Sequence, residues 1–153
     1  MEDRRHGLQF AFGADPQAPT FLPHNYTRDC VAYTGTHDNA PINGWWAEQG
    51  AGSSTRTAED VLREHARARR YLDTDGREMH WVCIRAVLAS VAALAMMPMQ
   101  DVLGLGNEAR MNVPSVPSGN WQWRCRHDAL TPSVAARLRE LTETYGRLAP
   151  AAR

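Results

Sequence analysis

Apolar positions along this chain fall into short runs separated by glycine, proline and polar clusters. The first, Leu8-Gln9-Phe10-Ala11-Phe12, stops at Gly13 and Pro16 and predicts a buried strand. Pro16, Pro19 and Pro23 deny regular hydrogen bonding to 16–25, which predicts a loop. Cys30-Val31-Ala32-Tyr33-Thr34, rich in β-formers and closed by Gly35, predicts a second strand. Gly44-Trp45-Trp46-Ala47-Glu48 predicts a short helix or turn, and Gly50 to Ser54 a flexible break. Thr57 with Asp60 three residues later resembles a capped helix entry, with Val61, Leu62 and Ala66 as a buried stripe running to about Tyr71. The turn composition of Asp73-Thr74-Asp75-Gly76 ends it, and Arg63, Arg67, Arg69 and Arg70 form its solvated face.

The Ala-, Val- and Leu-rich segment from about Met79 to Ala95 predicts a helix buried on most sides. Arg85 and Pro98 bound its apolar part below the roughly 18 residues a membrane span needs, so no membrane partner is expected. Met96-Met97-Pro98-Met99-Gln100 predicts a short strand with the methionines as core filler. Leu103 to Arg124 is a long loop punctuated by glycine and proline, of the kind that usually carries function. Thr131 and Pro132 start a last helix, Val134, Leu138, Leu141 and Tyr145 share one face of it, and Gly146 stops it. Apolar strands without alternation are buried on both faces, and helical connections between them imply parallel pairing. The predicted class is α/β, either a barrel or a doubly wound sheet.

Composition adds exclusions. Charge balances at 17 basic against 17 acidic residues, so no single-sign field invites nucleic acid. Every basic residue is arginine. Cys30, Cys83 and Cys125 are too few and too widely spaced for a disulfide framework or a zinc knuckle, and with no apolar signal stretch near Met1 they predict a cytoplasmic protein without a metal or cofactor.

The densest cluster of potential chemistry is Tyr33-Thr34-Gly35-Thr36-His37-Asp38-Asn39, polar residues placed directly after a buried strand. At that end of a (β/α) barrel strand active sites are assembled, and a carboxylate there is able to accept bonds from vicinal hydroxyls and to steady an oxocarbenium-like transition state. His37-Asp38 alone fits a capping pair equally well. Gly104-Leu105-Gly106-Asn107-Glu108-Ala109 formally fits a dinucleotide fingerprint, but Pro114 and Pro117 leave no room for the helix such a site requires.

Further segments narrow the choice. Leu22-Pro23-His24-Asn25-Tyr26, the 33–39 segment, Gly44-Trp45-Trp46, the stretch from Gln100 to Asn112 and Gly119-Asn120-Trp121-Gln122-Trp123-Arg124 resemble, in order and spacing, the C-terminal motifs of the amylomaltase or 4-alpha-glucanotransferase family. The likeness runs from about Leu8 to the end and is weak over about 47–77, a helical or loop insertion. Ala40-Pro41 and Ser115 depart from the usual pattern. The resemblance implies that 1–153 is part of a (β/α)8 barrel, strands six to eight, from an enzyme that moves α-1,4-glucan segments between maltooligosaccharides by a retaining mechanism. Asp38 would stabilise the transition state; His37, Asn112, Asn120 and Trp121 would bind substrate. A retaining mechanism needs two further carboxylates about 5 Å apart, and the family places them after strands four and five, ahead of Met1. The expectation is therefore a chain inactive alone, with a second chain supplying the missing strands as a partner. The alternative is a non-catalytic glucan-binding protein, with Trp45, Trp46, Trp121 and Trp123 as sugar platforms or as core.

Overall fold

The computed structural model describes residues 5–49 and 56–148, so the expected break at Gly50 to Ser54 lies outside the described residues. Three short strands, β1 (Arg5–Gly7), β2 (Val31–Tyr33) and β3 (Leu94–Met96), form a parallel sheet in chain order. Register runs Arg5 to Val31 and Val31 to Leu94. Among the described residues five α-helices accompany them: α1 (Ile42–Trp46), α2 (Ala58–Leu72), α3 (Met79–Ala89), α4 (Met99–Val102) and α5 (Pro132–Thr144). The α/β class and the parallel pairing follow the sequence expectation.

Element boundaries differ at the first strand, at the end of the 79–95 helix and at the third strand. The first strand is Arg5–Gly7, and the apolar run Leu8–Phe12 winds into a 3-10 helix that buries Leu8 and Phe12. A run of five residues with a single polar position carries too little periodicity to separate a tight helix from a strand. The predicted 79–95 helix ends at Ala89, where the Ser90 hydroxyl donates to Val87 O (2.7 Å). Beyond it Ala93 N donates to Arg28 O and Leu94 N to Cys30 O, drawing the chain into the sheet as β3. The strand expected at Met96–Gln100 thus lies at Leu94–Met96, and Met99 already begins α4. Nor is Met96 core filler, since half of it is exposed.

Capping explains the helices the sequence marked best. Thr57 Oγ1 accepts from Asp60 N (3.1 Å) while Asp60 accepts from Thr57 N (3.0 Å), a reciprocal pair that satisfies two donors at the start of α2. Thr131 Oγ1 accepts from Val134 N ahead of Pro132, the first residue of α5. The α2 arginines are not wholly solvated: Arg67 donates to Gly13 O (2.7 Å) and Arg69 lies over the Trp46 ring at 5.3 Å.

Core packing centres on α3, buried round most of its girth. One face joins Leu8, Phe12, Ala32, Ile42 and Trp45 through Met79, Cys83 and Val87. The other presents Trp81, Ile84 and Leu88 to Val102, with Val134, Leu138, Leu141 and Tyr145 of α5 covering it. Among the described residues β1 and β3 each have one strand neighbour, and on β3 Leu94 is 58% exposed. No helix among the described residues is long and apolar enough to cross a membrane.

Candidate active site

The loop between β2 and α1, residues 35–41, carries His37 and Asp38 and is held from below by one carboxylate. Asp101, essentially buried, accepts from Thr34 Oγ1 (2.5 Å) and from Ile42 N (2.7 Å), the residues just before and just after that loop. Burial pushes the Asp101 carboxyl above the usual aspartate range, against the lowering effect of those two hydrogen bonds. Inside the loop Asn39 Oδ1 accepts from Thr36 N (2.9 Å) and Thr36 Oγ1 (2.8 Å), and Asn39 N closes the turn on Thr36 O (3.1 Å). His37 and Asp38 occupy the tip, their side chains 57% and 50% exposed.

Two of the other sequence candidates, Asn112 and Trp121, bear on this tip. Asn112 Nδ2 donates to Asp38 Oδ1 (2.5 Å), while His37 Nε2 lies 3.4 Å from Asp38 Oδ2, so each carboxylate oxygen has a neighbour. The Trp121 ring is 5.1 Å from the His37 ring, at 39°, and is 53% exposed. Trp121 has a backbone φ of +63°, uncommon for a bulky residue, and its N–H donates to Met111 O (2.7 Å). Asn120 is spent on its own loop: its Oδ1 accepts from Val113 N (2.9 Å) and its Nδ2 donates to Val116 O (2.9 Å). Trp45 is buried and Trp46 is packed against the core, so neither offers an open platform.

Two cavities meet at the tip. Asp38 lines one of about 920 Å³ and His37 one of about 210 Å³, with Asn39 and Ala40 on the wall of both. The larger is also lined by a charged group the sequence left unmarked. Glu64, nearly buried, accepts from Trp45 Nε1 (2.7 Å) and Arg56 Nη1 (2.8 Å), and Arg56 also pairs with Glu48. A sequence signal existed: Glu64 falls on the Val61 and Ala68 face of α2, where an acid requires a partner. Asp101 and Arg110 were equally unmarked. The 104–109 glycine motif follows α4 and leads only to a 3-10 turn at Asn107–Ala109, so it lacks the strand and helix of a dinucleotide site.

The family described as 4-alpha-glucanotransferase matches residues 6–131. The chain belongs to that family. The 4-alpha-glucanotransferase of Thermus thermophilus is 45% identical over 149 residues, covering 92% of this chain and 27% of the relative. That of Clostridium butyricum is 41% identical over 140 residues, with the same coverage. The chloroplastic/amyloplastic 4-alpha-glucanotransferase of Solanum tuberosum is 42% identical and covered to 23%. Among solved structures, the amylomaltase from Streptococcus agalactiae in complex with acarbose is similar at a TM-score of 0.78 and 35% identity, over 94% of this chain and 27% of that one. This 4-alpha-glucanotransferase family chain therefore spans about a quarter of the length of the relatives it matches.

Proposed function

We propose that this chain supplies the sugar-gripping carboxylate of a 4-alpha-glucanotransferase that moves α-1,4-glucan segments between maltooligosaccharides. The observation that carries this is the placement of Asp38: a half-exposed carboxylate beyond a parallel strand, oriented by Asn112 and opening on a cavity of about 920 Å³. In this proposal β1 to β3 are strands six to eight of a (β/α)8 barrel, and the outer sides of β1 and β3 receive the remaining strands from further polypeptide. The acarbose complex of the streptococcal amylomaltase supports a maltooligosaccharide-like ligand.

Chemistry follows from the geometry. As the anomeric carbon turns cationic, Asp38 accepts hydrogen bonds from vicinal glucose hydroxyls and holds negative charge near the developing oxocarbenium. His37 bonds the same sugar, and the exposed Trp121 face covers its C–H surface. Asn112 keeps the carboxylate aimed, while Asn120 acts by shaping its loop. In this proposal the nucleophile and the acid/base come from strands outside these 153 residues, so a piece made of these residues alone turns over no substrate. Three free cysteines favour a reducing compartment, and the cytoplasm is the proposed one.

The test is disproportionation of maltotriose. The 153-residue chain alone releases no glucose; combined with the complementary three quarters of the Thermus thermophilus relative it yields glucose and longer maltodextrins. Asp38→Asn in that assembly lowers the rate roughly 10²–10³-fold, as loss of a transition-state electrostatic contact does. Robust turnover by the chain alone overturns the proposed division of carboxylates, and an unaffected Asp38→Asn rate overturns the role of Asp38.

A further inference from the structure

One arginine reaches the backbone on both sides of the Asp38–Asn112 pair. Arg110, half-buried and lining the same cavity as Asp38, donates Nη2 to Asp38 O (2.7 Å) and Nε to Asn112 O (2.9 Å). The carboxylate and the amide it faces are therefore each tied at the main chain by one guanidinium. Asn112 N adds a third strut to His37 O (3.2 Å), and Trp121 N holds Met111 O from the other side. The segment 110–112 is thus laced to the loop tip in front and to the Trp121 loop behind.

We propose that Arg110 is a positioning residue for the glucanotransferase site: it sets the distance between Asp38 and Asn112 and so the direction of the carboxylate. The proposal rests on the function proposed above. An arginine suits the task where a lysine does not, because its planar fork fixes two N–H directions at once, whereas an ammonium reaches two carbonyls only by giving up defined geometry. The link also explains how the loop after β2 and the segment after α4 keep register. Asp101 secures both ends of the 35–41 loop, and Arg110 secures the main chain at its tip. A displacement near 1 Å at a reacting centre is enough to cost about 100-fold in rate.

Two arms test it. On the 153-residue chain, Arg110→Gln is compared with wild type by amide hydrogen exchange and by the Asn112 side-chain NMR resonances. The expected result is loss of protection at Asn112 N–H and a shift of its Nδ2 signals toward free-amide values, with α2, α3 and α5 protection unchanged. In the complemented assembly, Arg110→Gln and Arg110→Ala lower kcat about 100-fold with KM little changed, as for an interaction needed in the transition state. Added guanidinium partly restores Arg110→Ala, and Arg110→Lys falls between. Unchanged Asn112 exchange and side-chain signals overturn the proposal, as does equal loss of protection throughout the chain. An assembly that is inactive with wild-type sequence overturns the proposed function instead, and the exchange arm still decides the role of Arg110.

Discussion

Removing the Asp101 carboxylate tests how the 35–41 loop is anchored. In Asp101→Ala the Thr34 hydroxyl and the Ile42 N–H both lose their acceptor in a buried place. Each buried polar group left unsatisfied costs about 1–3 kcal/mol, so the substitution should destabilise by about 4 kcal/mol. Against a total of about 5–15 kcal/mol that is a large share. At about 2–4 °C per kcal/mol for this size of chain, the midpoint should fall by about 8–16 °C. Asp101→Asn is the control, because its amide oxygen serves Ile42 N–H while its NH2 faces the Thr34 hydroxyl, which turns to accept; its cost should stay under about 2 kcal/mol. The pH dependence has a definite sign. A carboxyl raised in the folded state contributes stability that is complete below the unfolded value near 3.9 and is lost as pH rises through the folded value. Wild type should therefore lose stability relative to Asp101→Asn as pH climbs from about 4. Urea unfolding followed by circular dichroism across pH measures both effects. An alanine variant within about 1 kcal/mol of wild type would refute the clamp.

Further outcomes follow from the same contacts. Thr57→Ala dismantles the reciprocal cap of α2 and should cost about 1 kcal/mol in urea unfolding, with exchange protection lost first at Asp60 and Val61. The Arg137 guanidinium, in a two-pronged bond at 2.6 and 2.9 Å, holds the Glu78 carboxyl below its usual range. Its stabilising effect is present above the unfolded value near 4.3 and disappears as pH falls through the folded one, so Arg137→Ala should return the NMR titration of Glu78 to an ordinary glutamate curve.

Local signals made α2 and α5 legible in the sequence, because Thr57 with Asp60, Thr131 with Pro132, and Gly146 act within a few residues of themselves. β1 was not legible: Arg-His-Gly has no apolar signature and becomes a strand only by pairing with β2. The change from α3 to β3 was hidden for a related reason. Val91-Ala92-Ala93 continues the helix's composition, and only tertiary bonds to Arg28 O and Cys30 O pull the chain out of helical geometry. At the site, His37 and Asp38 stood out because polar residues end an apolar strand. Asp101 and Arg110 did not, since their significance lies in partners about 60–70 residues away in sequence. Asn112 and Asn120 look alike as loop asparagines, and only their hydrogen-bond partners distinguish the amide on Asp38 from the amide on its own loop.

In the proposed function Asp38 faces a bound glucose unit. Titrating acarbose into the complemented assembly, with NMR labels on His37, Asp38, Asn112 and Trp121, measures this most directly. Saturable shifts at those residues, absent from α5 and abolished in Asp38→Ala, are the predicted result. Binding of undiminished affinity in Asp38→Ala, with the His37 and Trp121 signals unmoved, contradicts it.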